Sequence, residues 1–212
     1  MKNFVILVAA LALLAGCSQK KAGSLTSETD RNAAVLQVKA LTTMSFAKLL
    51  ADEPLDESDK SNAERALPIV ASVIEFSPNQ PAYFVLRARC QWVLGKTDEA
   101  KKSLEQAVSI QDQLHTAEPV LEAEAHHDLA RLAILDNKWD DAGREAQKAL
   151  TLFPDDSRYL TTNASVLLQT KDIAGARAAA TKALKADPQN SVALSMLKMI
   201  QASEDGPKKA GP

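Results

Sequence analysis

The sequence predicts an all-α fold, a solenoid of helical hairpins, on three observations. Small residues recur with fixed spacing: Ala88, Ala100, Ala107; Ala130, Ala142, Ala149; and Ala164, Ala176, Ala183 each step by 12 and then by 7. Prolines keep the same register, with Pro154 and Pro188 34 apart and Pro78 standing 12 after Ala66, as Pro154 does after Ala142. Between these marks the apolar residues fall at helical spacing.

The chain starts differently. Met1-Lys2-Asn3 is a short basic start, Phe4 to Leu14 is uninterrupted apolar, and Ala15-Gly16 precede Cys17. That order describes a secretory signal. Eleven apolar residues fall short of the ~20 a membrane-spanning helix needs. Leu14-Ala15-Gly16-Cys17 resembles the bacterial lipobox. The resemblance implies cleavage before Cys17, acylation of that cysteine (palmitate among its chains) and attachment to a membrane. Ser18, rather than an aspartate, implies the outer membrane, with the domain facing the periplasm. Residues 18–30 are polar and aperiodic and read as a tether, with a reach of about 20 Å for a dozen flexible residues.

Residues 31–204 read as the helical domain and 205–212 as a disordered tail. Asn32 to Leu50 is strongly helical. Pro54 and the acidic Asp52 to Asp59 segment interrupt the first helix expected of the first unit, so Asn32–Leu50 reads either as an N-terminal cap or as that helix displaced. The next unit runs from Pro81, with Gly95 at its turn. In the third, Leu129, Ala130 and Ile134 share a face, Asp136-Asn137-Lys138 make the turn, and Trp139 to Leu152 follows before Pro154. In the fourth, Leu160, Ala164, Leu167 and Leu168 form one stripe and Ala176, Ala180, Ala183 and Leu184 the next, with Lys171-Asp172 between them and Pro188 as the stop. Alanines suit the seam where two helix backbones approach closely. Ser191 to about Ala202 reads as a capping helix that covers the last unit with Val192, Leu194, Leu197 and Ile200.

A 34-residue helix-turn-helix unit with alanines at these offsets and a closing proline resembles the tetratricopeptide repeat (TPR). Trp139-Asp140-Asp141-Ala142, Lys148-Ala149-Leu150 and Phe153-Pro154-Asp155-Asp156 carry the likeness most closely, with Gly95, Asp98-Glu99-Ala100 and Ala107 in the unit from Pro81. It covers roughly Ala47 to Asn190 as about four repeats, the first degenerate. Two departures stand out. Arg87 and Gln91 occupy places the family fills with apolar residues. Ala100 to Ala142 is 42 rather than 34, so eight extra residues lie in Val108 to Glu122, with a break at Pro119.

Composition excludes some functions. A formal charge of −2 without long runs of one sign lacks the basic footprint of a nucleic-acid binder. Past the first fifteen or so residues no apolar run is long enough to span a bilayer. With Cys17 acylated, Cys90 has no partner for a disulfide and reads as a small core hydrophobe. No phosphate loop, metal-ligand pair or nucleophile triad is present, so neither a catalytic residue nor a cofactor nor a metal is expected. His126 and His127 are adjacent, and neighbours on a helix point about 100° apart, which disfavours joint chelation. His126 falls at a packing position, His127 toward the groove, and His115 in the insertion.

The family's first helices line a concave face that contacts peptides. The resemblance places Val85, Arg89, Trp92 and Val93 on that face in one unit. It places His127, Arg131, Ile134 and Leu135 there in the next, then Arg158, Thr161, Ser165 and Leu168. Arg89 and Arg131 are equivalent. Either they form a basic strip beside Trp92 and Ile134, fit for an acidic or carboxylate-ended segment, or each is paired with a nearby acid or solvated. The expected function is a non-catalytic, lipid-anchored scaffold that binds an envelope protein or peptide segment. The alternative is a structural lipoprotein that self-associates as a homodimer, with Val108–Glu122 as a candidate surface. A metal-binding or enzymatic lipoprotein is the third reading.

Overall fold

A computed structural model describes residues 25–51, 53–114 and 118–204. The signal, Cys17, most of the tether, His115 and the tail from 205 lie outside the described residues. The described chain is helical from Glu28 to Glu204 and forms four antiparallel hairpins and a closing helix. The helices are α1 (Glu28–Leu50), α2 (Glu57–Phe76), α3 (Pro81–Val93), α4 (Thr97–Leu114), α5 (Pro119–Leu135), α6 (Trp139–Leu152), α7 (Ser157–Gln169), α8 (Ile173–Ala186) and α9 (Ser191–Glu204). Each first helix packs on its own second helix and on the second helix before it. That is the solenoid read from the 34-residue period.

The alanine seam is the reason the hairpins close tightly. Ala66, Ala88, Ala100, Ala107, Ala130, Ala142, Ala149, Ala164, Ala176 and Ala183 are all at most 1% exposed. Leu104 and Tyr159 fill the wider gaps between helices. Cys90 is free and fully buried, and burial pushes its thiol up to about 12.

The turns inside three hairpins share one geometry. Gly95, Asn137 and Lys171 all have φ between 58° and 74°. In each turn the following amide reaches back to close the helix: Lys96 N to Gln91 O at 2.8 Å, Lys138 N to Ala133 O at 2.8 Å, Asp172 N to Leu167 O at 2.9 Å. This closure needs a left-handed residue at its centre, which glycine adopts without steric cost. Asn137 and Lys171 adopt it with a Cβ present.

Pro54 does not interrupt a helix; it lies in the α1–α2 connection. The acidic segment starts α2 instead. The Asp56 side chain accepts from the Asp59 amide, and Asp59 accepts from the Asp56 amide. Ser45 and Lys48 also donate to Asp59, and these bonds, led by Lys48, hold its carboxyl down at about 2. Asn32–Leu50 therefore belongs to the displaced first helix rather than to a separate cap. α1 is also long and apolar enough, by length and composition, to cross a membrane. The sequence carries no unbroken apolar run there because Thr42, Thr43, Ser45 and two lysines interleave with the alanines and leucines. One side of α1 packs on α2 and α3.

The eight extra residues are split between two helices. At 18 residues α4 is four longer than α6 (14), and at 17 residues α5 is four longer than α7 (13). Arg87 and Gln91 are accommodated by polar pairing inside their hairpin. Arg87 Nε donates to Ser103 Oγ at 2.9 Å, and Ser103 Oγ donates to Gln91 Oε1 at 2.7 Å. The closing helix sits in a different register from the one expected. It buries Ala193, Met196 and Ile200 with Leu197 half-buried, while Val192 is 51% and Leu194 43% exposed. Asn190 caps this helix by accepting the Ala193 amide at 2.9 Å and ties it to α7 by donating to Ser157 and Thr161.

Candidate functional site

The first helices of successive hairpins line one face, and a cavity of about 320 Å³ opens on it. Trp92 contributes from α3 and His127, Arg131, Ile134 and Leu135 from α5. Arg158, Thr161, Thr162 and Ser165 contribute from α7, and Val192 from α9. Leu49 and Leu50, the end of α1, close the side nearer the N-terminus.

Of the two readings left open for Arg89 and Arg131, the basic strip does not form. Arg89 lies off the cavity, with Nε on Asp128 at 3.1 Å and Nη2 on Glu124 at 2.8 Å, over the Phe46 ring at 4.6 Å. The Asp128 side chain is 3% exposed, so the pair is structural. Burial pushes its carboxyl up against the pull of Arg89. Val85 is 2% exposed and packs in the core. Arg131 does line the cavity, but Nη1 donates to the Leu50 carbonyl at 2.8 Å and the guanidinium stacks over Trp92 at 5.8 Å. It thereby satisfies the carbonyl end of α1, where a cation is favoured. Arg158 is held by Asp156 at 2.9 Å.

The remaining lining is neutral. His127 Nε2 and Thr162 Oγ1 share a hydrogen bond of 2.9 Å, and the imidazole tilts against Tyr159. Burial, assisted by Arg131, drives the His127 pKa down to about 3, so the ring is uncharged at neutral pH. Ser165 donates to Thr161 O, and Asn190 donates to Ser157 and Thr161. Leu135 and Val192 are 59% and 51% exposed. The cavity therefore offers apolar islands set among neutral hydroxyls and an amide, next to cations already engaged.

Eight of the twelve groove residues named from the sequence, Trp92, His127, Arg131, Ile134, Leu135, Arg158, Thr161 and Ser165, meet at this cavity. Val85, Arg89, Val93 and Leu168 do not. Sequence reasoning missed Val192, although it stands 34 after Arg158 and the period itself marks it. It also missed Leu49 and Leu50, for which the repeat register carries no signal.

His126 bonds Glu145 across the α5–α6 hairpin at 2.6 Å. Among the described residues no three His, Cys, Asp or Glu side chains gather as a metal cage. A second hollow of about 340 Å³ lies between α4, α5 and α6, and of the five acids that line it Glu145 and Asp141 hold His126, Lys148 and Arg144.

Residues 81–114 match the tetratricopeptide repeat family profile. No curated protein sequence matches the chain. Among solved structures, a crystal structure of MamA superposes with a TM-score of 0.59 at 17% identity, covering 71% of this chain and 86% of that one. Pseudomonas aeruginosa pilF superposes with a TM-score of 0.62 at 16% identity, covering 81% of this chain and 70% of that one. MamA from Desulfovibrio magneticus RS-1, residue 41 to its end, gives 0.59 at 13% identity, covering 80% and 86%. At these identities the likeness is one of fold, and in fold the chain is a tetratricopeptide-type helical solenoid.

Proposed function

We propose that this chain is a lipid-anchored scaffold of the bacterial cell envelope that binds a partner protein and catalyses nothing. The anchor is Cys17, at the outer membrane on its periplasmic side, and the solenoid presents its cavity to an envelope protein. One observation carries the binding reading: residues of α1, α3, α5, α7 and α9 converge on an open cavity with exposed apolar side chains at its rim. The engaged arginines change the partner expected. An uncharged segment with apolar side chains fits better than an acidic one, because the cations nearby already hold Asp156, Asp128, Glu124 and the α1 carbonyls.

Affinity capture from detergent-solubilised envelopes tests the cavity. Leu135→Glu with Val192→Glu should lose partners that the wild type retains, since both side chains are exposed and their replacement leaves the core intact. An unchanged partner set removes the cavity from the reading. Metabolic labelling with palmitate, lost in Cys17→Ser, tests the anchor separately.

A further inference from the structure

α1 is apolar on two opposite sides. Ala34, Val38, Thr42, Ser45 and Phe46 form the side packed into the solenoid. Diametrically across the helix, Ala33, Leu36, Ala40, Met44 and Ala47 are all exposed, within an arc of about 80° at 100° per residue. Leu36 is 68% exposed and Met44 is 71% exposed. No described element precedes α1 to cover them.

The order of these residues says what fits. Counted from Ala40, the alanines stand seven residues away on either side and the large residues four away on either side. The stripe therefore reads the same in both directions. A two-fold axis at Ala40 places Leu36 of one chain against Met44 of the other, and Ala33 against Ala47. Isologous pairing requires that kind of self-complementarity. The three alanines let two backbones approach to about 8 Å between axes. Against lipid they would contribute little area, and interfacial helices use Trp, Phe and Leu instead.

We infer that a second copy of this chain covers this face, its α1 packed antiparallel to the first about Ala40. A single helix pair sits at or below the low end of specific interfaces, about 1,200 Å² in total, so the dimer is weak and reversible. Lys39 is exposed beside the axis in both copies, so added salt tightens the pair by screening their repulsion.

Cysteine cross-linking in the full chain tests the register. Closely packed axes bring two copies of position 40 within disulfide range. Under a mild oxidant and in a Cys17→Ser background, Ala40→Cys should form a covalent dimer that Cys17→Ser alone, with Cys90 buried, does not. Ala33→Cys and Ala47→Cys should each fail alone and link when mixed. Leu36→Glu in the Ala40→Cys background should abolish the dimer band while helicity and melting temperature stay at wild-type values. A single band pattern that ignores position, or no dimer at Ala40→Cys, overturns the inference. So does a thiol at position 40 that is shielded from maleimide in the monomer: by residues 1–24 if truncation exposes it, by lipid if vesicles of phosphatidylethanolamine and phosphatidylglycerol are needed to shield it.

Discussion

Replacing Arg89 by methionine tests whether this arginine belongs to the fold or to a ligand site. The Arg89 side chain is 23% exposed, and its guanidinium bridges Glu124 and Asp128 from α3 to α5. Glu124, 28% exposed, can turn to water, but Asp128, 3% exposed, cannot. Removing one partner of a buried pair costs about 3–5 kcal/mol, because the other charge is left without compensation. With one of the two acids free to relax, about 3 kcal/mol is expected for Arg89→Met. For a chain of this length that corresponds to a fall in melting temperature of roughly 6–12 °C. Adding Asp128→Leu removes the stranded charge and should restore more than half of the loss. Urea unfolding followed by far-ultraviolet circular dichroism and by tryptophan fluorescence measures both, and agreement of the two probes checks that the solenoid unfolds as a unit. A loss below about 1 kcal/mol for Arg89→Met would place Arg89 among solvated charges and return it to the groove.

Three further outcomes follow from the geometry. The His127 pKa is about 3 in the fold against 6.5 unfolded, so the unfolded chain binds the extra proton between those values; stability then falls as pH drops below 6.5, by about 1.4 kcal/mol per unit from this group. His127→Gln should flatten that part of the pH profile, measured as the difference between the two urea midpoints. Lys171→Gly should stabilise by about 1 kcal/mol and Gly95→Ala destabilise by a similar amount, since both positions need a left-handed backbone; equal midpoints in thermal melts would contradict this. Ala149→Leu forces a larger side chain into a fully buried seam and should cost about 1–3 kcal/mol, read by the same melts.

The hairpin order, the alanine seam and the turn sites were legible in the sequence, because each is a local requirement repeated every 34 residues. A close helix pair needs alanine at Ala142 and Ala149 whatever surrounds it, and Ala176 and Ala183 repeat the demand. The eight-residue insertion was legible in length but not in form, since four residues at the end of one helix and four at the start of the next leave no local mark. The register of α9 was misread because Val192 and Leu194 are as apolar as the residues it buries; packing on α7 and α8 chose between them.

The candidate site divides along the same line. The sequence by itself, through its resemblance to the repeat family, determined which face of each first helix turns to the cavity, so Trp92, Arg131, Ile134 and Ser165 were found by carrying the family's offsets onto the 34-residue register. Only the tertiary structure decided what those residues are free to do. Arg89 is 35 and 39 positions from Glu124 and Asp128, and Arg131 is 81 from Leu50. Partnerships over such distances arise when helices stack, and no local pattern encodes them. Stacking thus turned an apparent basic strip into internal ion pairs and a helix cap, leaving a cavity lined by apolar and neutral polar groups beside cations that are already engaged.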